Sequence, residues 1–131
     1  KGSDDGAADV RLTGSIVELH RVDNVTITAG SVYTTSMIDL TDVKKVFAVA
    51  RSTEAITQKF SFQILWSHSS RSTTWLGITD NFESESSSQY GDSTVNITGG
   101  YLDIKAPYAR FRISNTTEDD DVYLLIVLGV V

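Results

Sequence analysis

Apolar and polar residues alternate in short runs along this chain, and turn-rich pieces separate the runs. In "KFSFQILWS", Phe60, Phe62, Ile64 and Trp66 fall on one face of an extended segment, with Ser61, Gln63 and Ser67 on the other. "YARFRIS" repeats the pattern: Ala109, Phe111 and Ile113 point inward, while Tyr108, Arg110, Arg112 and Ser114 point outward. Strand formers such as Thr, Val, Ile, Tyr and Phe are frequent, and helix-period apolar patterns longer than two turns are absent. Strands are predicted over residues 11–18, 25–28, 32–38, 44–52, 59–67, 73–79, 94–97, 101–105, 109–114 and 122–130. About eight to ten such strands, joined by polar turns, define an all-β antiparallel sandwich.

Two strands break the alternation. "KKVFAVAR" sets Val46, Ala48 and Ala50 on one face and Phe47 and Val49 on the other, and "VYLLIVLGVV" carries nothing polar except the Tyr123 hydroxyl. An apolar outer face left in water would be an aggregation-prone patch, so something must cover it. The cover is either a loop of the same chain or another subunit. With Tyr123, Leu125, Val127 and Val131 read as the outward set, joined by Phe47 and Val49, an oligomer contact is expected there.

The connecting pieces read as turns at HRVDN, STEAIT, SHSSRS and TGG. Residues 80–93 are serine-rich, acidic and aperiodic, and a loop of about 14 residues is at the long end of ordinary connections. Such a segment is expected to be functional, partner-ordered or mobile. The stretch from Asn115 to Asp121 ends in four consecutive acids, which must face solvent, bind metal or meet a basic partner. Residues 1–9 read as a polar, flexible N-terminal arm, and residues 10–131 as a single sandwich domain.

A chain of 131 residues is long enough to bury a core without staples. The formal charge of −6 argues against nucleic acid, whose phosphates require clustered Lys and Arg. No cysteine is present for a disulfide or a thiolate metal site. The longest apolar run, about ten residues, falls well short of the roughly 20 a membrane-spanning helix requires. No membrane contact and no cofactor are therefore expected.

Little in the chain resembles catalytic machinery. His20 and His68 both sit in predicted turns away from any nucleophile-elbow motif. Paired carboxylates occur at Glu83 and Glu85 and from Glu118 to Asp121, but a glycosidase needs two acids across a sugar-sized cleft. No calcium-loop spacing accompanies them, so solvated charge is the expected state, with no metal and no enzymatic activity. Trp66 falls on the core face, leaving Trp75 and Tyr90 as candidate glycan contacts. Arg110 and Arg112 set two guanidinium groups on one sheet face, where they could pair with acids of the same chain or of a partner. Tyr108 shares that face. Pro107 ends a strand, Asn115 is placed to cap the following turn, and Asn24, Asn96 and Asn115 head glycosylation-type triplets that are common by chance in a Thr-rich chain.

The order "MIDLTDVKKVFAVARSTEA", "FSFQILWSHSSRSTTWLGIT", "GGYLDIKAPYARFRISNTT" and a closing apolar strand resembles the small jelly-roll modules of tailed bacteriophages. Such modules occur in capsid decoration (cement) proteins, head fibres and tail adhesins. The matching positions are Asp39 and Leu40, Trp66 to Ser70 with Trp75, and Ala106, Pro107, Tyr108, Arg110, Arg112 and Asn115. The chain departs from the pattern after the tryptophan, with Ser67, His68, Ser69 and Ser70 in place of a Ser-x-Asp-Gly turn. The resemblance implies a jelly-roll fold and a structural protein of the virion. It further implies a homotrimer on the outer capsid surface that binds the major capsid protein and reinforces the shell. A receptor- or carbohydrate-binding module of a tail fibre or secreted protein is the alternative.

Overall fold

The alternating segments form strands that pass back and forth between two sheets. The computed structural model describes residues 15–56, 58–71, 74–90 and 93–131, for positions 88–90, 93 and 94 the backbone alone. In chain order the strands are β1 (Ile16–Ile27), β2 (Val32–Thr34), β3 (Ile38–Asp39), β4 (Lys45–Ser52) and β5 (Ser61–Ser67). Then follow β6 (Thr79–Glu83), β7 (Glu85–Tyr90), β8 (Ser93–Leu102), β9 (Tyr108–Ser114) and β10 (Asp121–Val130). The expected N-terminal arm, residues 1–9, lies outside the described residues.

Sheet I runs β2–β9–β5–β6, with β3 also paired to β9, and sheet II runs β1–β10–β4–β8–β7. All the pairings are antiparallel. The late strands insert between early ones, β10 between β1 and β4 and β9 between β2/β3 and β5. Two sheets interleaved in this order are the jelly roll, with β7 added at the edge of sheet II. The sandwich is as the sequence indicates.

The core is built from the inward face of each strand. Sheet I, with Phe60 just ahead of β5, contributes Phe62, Ile64, Trp66, Phe111 and Ile113, and sheet II answers with Val46, Ala48, Ala50, Tyr123, Leu125 and Val127, all fully buried. Bulky rings on one sheet thus face small residues on β4, which keeps the layers filled. Phe60 meets Tyr123 edge-on at 4.9 Å between ring centroids, and Phe62 stacks on Phe111 at 6.3 Å.

Several predicted turns are strand. HRVDN lies within β1, where register shifts against β10 between Tyr123 and Leu125 and between Val127 and Leu128 absorb the extra residues as bulges. TGG lies within β8, because Gly99 packs flush against β4: a Cβ there would stand 2.0 Å from the Ala48 carbonyl oxygen. The expected loop at 80–93 is largely β6 and β7, joined at Ser84. Its periodicity is hidden because both are edge strands, whose outer faces tolerate Ser and acid while Phe82 packs on the core. Conversely, Thr74 to Ile78 form no strand.

Polar side chains close the corners where the chain changes sheet. Buried Ser84 accepts from the Phe60 amide at 2.9 Å and donates to Asn96 Oδ1 at 3.1 Å, and Asn96 Nδ2 donates to the Ile56 carbonyl at 2.9 Å. Asn115 caps its turn as expected: Nδ2 donates to the Ile27 carbonyl at 2.8 Å, and Oδ1 accepts from the Thr117 amide at 3.0 Å. Both carboxamides thus use their oxygen and their nitrogen in hydrogen bonds.

Candidate functional site

The outer face of sheet I is a lattice of polar side chains around an aliphatic floor. Arg110 lies opposite Leu65, itself opposite Thr79; one step along, Arg112 lies between Thr34 and Gln63, and Gln63 opposite Asn81. This face is drier than the alternation predicts, since Gln63, Leu65 and Ser67 are all buried between flanking strands. Arg112 Nε donates to Gln63 Oε1 at 3.0 Å, and the Ser114 hydroxyl donates to the same oxygen at 2.9 Å.

The segment after β5 folds back over that face. The Leu76 amide donates to the Trp66 carbonyl at 2.9 Å, and Trp66 donates in turn to the Ile78 carbonyl at 3.2 Å. Trp75 is thereby held at the rim, with its indole N–H donating to the Ile78 carbonyl at 3.1 Å and 52% of the residue exposed. Trp75, Arg110 and Arg112 line one groove of about 450 Å³, together with Thr34, Leu65, Thr79 and Asn81. Among the described residues neither arginine forms an ion pair, and Arg110 Nε is buried without a hydrogen-bond partner. The fold therefore unites Trp75 with the arginine pair, which the sequence offered as separate features. Tyr108 shares the face beside Ser67 and Asp39 but lies beyond the groove lining. The Tyr90 side chain lies outside the described residues.

The outer face of sheet II is apolar, but its residues on β10 differ from those expected. Tyr123, Leu125 and Val127 are fully buried in the core, so they cannot form a subunit contact. Leu124, Ile126, Leu128 and Val130 are half-buried on the opposite face. Tyr123, whose hydroxyl looks like a solvent group, instead turns inward and reaches Asp121 Oδ2 at 3.4 Å. Burial and the adjacent Asp121 charge push the Tyr123 hydroxyl pKa up. Gly129, on the same inner face, packs against Leu19 and Val43. Phe47 and Val49 do face outward, and Val131 is partly exposed at the end of the strand.

Around these residues the face has a knob and a hollow. Tyr101 stands 68% exposed beside Phe47, with their ring centroids 5.0 Å apart and Lys45 Nζ 5.4 Å from the Tyr101 ring. Next to it Gly99 and Gly100, with Phe47, Val49 and Ile97, line a depression of about 510 Å³. Charges of both signs, Glu18 and Arg21 on β1 and Glu85 on β7, flank the apolar centre.

Several of the acidic candidates and His20 are tied into local structure, while His68 is exposed. Asp120 Oδ1 accepts from the Ala29 amide at 2.9 Å, and Asp121 Oδ2 accepts from the Thr117 hydroxyl at 2.8 Å. Glu83 and Glu85 fall on strands of different sheets, with Glu83 paired to Lys59 at 3.6 Å. Among the described residues no cluster of three or more His, Asp or Glu could hold a metal ion. His20 Nε2 lies 3.0 Å from the Tyr33 hydroxyl, and burial lowers its pKa against the opposing pull of Glu18. Asp80 accepts from Trp66 Nε1 at 2.8 Å and pairs with Lys105 at 2.5 Å. Burial works against the Asp80 carboxylate, but the Lys105 and Trp66 hydrogen bonds outweigh it and hold its pKa below the usual value.

Fold and faces together define a jelly-roll module with one polar outer groove and one apolar outer face. No protein-family model and no curated protein matches the chain. Among solved structures it is similar to the PBSX exported protein XepA, with a TM-score of 0.55 and 17% identity, over 89% of this chain and 37% of that one. At that identity the likeness establishes the shared fold, and the chain spans little more than a third of that protein's length. A match to a structure described as "Bacillus endospore appendages form a novel family of disulfide-linked pili" covers 95% of this chain and 96% of that one. Its TM-score of 0.30, at 11% identity, is too low to establish a common fold.

Proposed function

We propose that this chain is a non-enzymatic structural protein of a phage-derived particle, and specifically a capsid decoration protein. In this reading it associates as a homotrimer on the outer virion surface, binds the major capsid protein, and engages neither nucleic acid nor membrane. The observation that carries the proposal is the apolar outer face of sheet II, where the Tyr101 ring stands beside the depression at Gly99 and Gly100. A projecting ring and a hollow on one surface suit contact between copies of the same chain, each inserting its knob into the next until the ring closes. The mixed-sign flank gives the polar rim of such an interface. Its jelly-roll fold, shared with an exported PBSX protein, supports the phage-derived part of the reading. Assembly would stabilise the shell by mass action, because each buried copy favours the assembled state.

Light scattering on the purified chain, repeated with Leu128→Glu and Tyr101→Ala, tests the self-association. The expected result is a trimer that both substitutions dissociate with the fold intact. A wild-type monomer at high concentration would overturn it. Co-sedimentation with capsids lacking decoration tests the capsid step.

A further inference from the structure

The geometry points to a second, independent site: the groove on sheet I binds an acidic saccharide, its sugar ring against Trp75 and its carboxylate on Arg110 and Arg112. The volume, about 450 Å³, is that of a small-ligand site. A half-exposed indole whose N–H is already engaged by the Ile78 carbonyl offers its ring to the C–H face of a sugar. Such a ring supplies a large contact area at low entropic cost.

The anionic preference follows from the arginines. In a chain of net charge −6, a general attraction for anions is absent, so binding one requires local cations. Arg110 and Arg112 supply them, two residues apart on one face, and the planar fork of guanidinium matches a carboxylate. The nearby acids are engaged elsewhere: Glu83 with Lys59, and Asp80 with Lys105 and Trp66. Arg112 is oriented by Gln63, and Arg110 Nε has no partner among the described residues. Asn81 and Thr79 add an amide and a hydroxyl suited to sugar hydroxyls.

Calorimetric titration with hexagalacturonate tests the site, with maltohexaose as the neutral arm and a glycerol-phosphate oligomer as the phosphate arm. Saturable binding of hexagalacturonate is expected, weakened about tenfold or more in Trp75→Ala and in Arg110→Gln, as loss of a charge-assisted contact implies. Trp75→Phe retains most of it. Trp75 fluorescence of the unmodified protein, with Trp66 buried, provides a readout that needs no variant. Binding by Leu128→Glu is expected unchanged, which separates this site from the self-association surface. No saturable binding, equal binding of maltohexaose, preference for the phosphate oligomer, or full binding by a folded Trp75→Ala would each overturn the assignment.

Discussion

The Ser84 hydroxyl donates to the Asn96 carboxamide oxygen across 3.1 Å, at the point where the chain leaves sheet I for sheet II. Both residues are buried, and Asn96 also receives the Ser52 hydroxyl oxygen as acceptor for its backbone amide at 3.1 Å. One serine and one asparagine thus replace backbone pairing that the corner cannot supply. Asn96→Ala leaves the Ser84 hydroxyl and the Ile56 carbonyl without this partner and is expected to cost about 1–3 kcal/mol. Urea denaturation with an unchanged slope would show the loss as stability.

The two faces of β10 should respond oppositely to substitution. Leu125→Ala opens a cavity in the core and is expected to cost about 2–5 kcal/mol. Leu128→Ala, on the half-buried outer face, costs distinctly less in the dissociated chain. Equal losses in chemical denaturation would contradict the parity of the strand.

Gly99 takes a φ of 134°, and a Cβ there meets the Ala48 carbonyl oxygen at 2.0 Å. Gly30, at φ 77°, has open space around it. Gly99→Ala is therefore expected to destabilise by well over the ~1–2 kcal/mol that left-handed strain alone costs, and Gly30→Ala by about that strain only. Comparative thermal melts check the order.

Acidification should weaken the fold in two stages. The folded His20 pKa lies below the ordinary histidine value of 6.5, so the unfolded chain takes up the proton first and stability falls as pH drops below that value. Asp80 is likewise lowered from 3.8, so its contribution is present above that pH and is lost as pH falls further through the folded value. Asp80→Asn should flatten the second stage. An NMR titration of His20 at or above the ordinary histidine value would refute the first.

Alternation made the sandwich legible, because strands β5 and β9 carry large apolar residues at every second position. It left the parity of β10 open: when both faces are apolar, only the partner strands decide which is inside. Tyr123 then misled, since its hydroxyl reaches Asp121 while the residue itself is fully buried. The groove was half legible. Arg110 and Arg112 follow from their i, i+2 spacing, but Trp75 reaches them only through the hydrogen-bonded return of the segment after β5, which no local pattern announces. Serine-rich β7 was hidden for a related reason: an edge strand can be stabilised by backbone pairing with little apolar content.

In a sandwich the outer faces of the two sheets point away from each other. Copies joined through sheet II would therefore present their sheet I grooves outward, repeated at the spacing of the assembly. Repetition changes what a modest single-site affinity can achieve: once one groove is occupied, the next meets the same polymer at high effective concentration, and avidity can exceed single-site affinity by about 10²–10⁴. Weak binding by the isolated chain and firm retention by the assembled particle would then be two readings of one molecule.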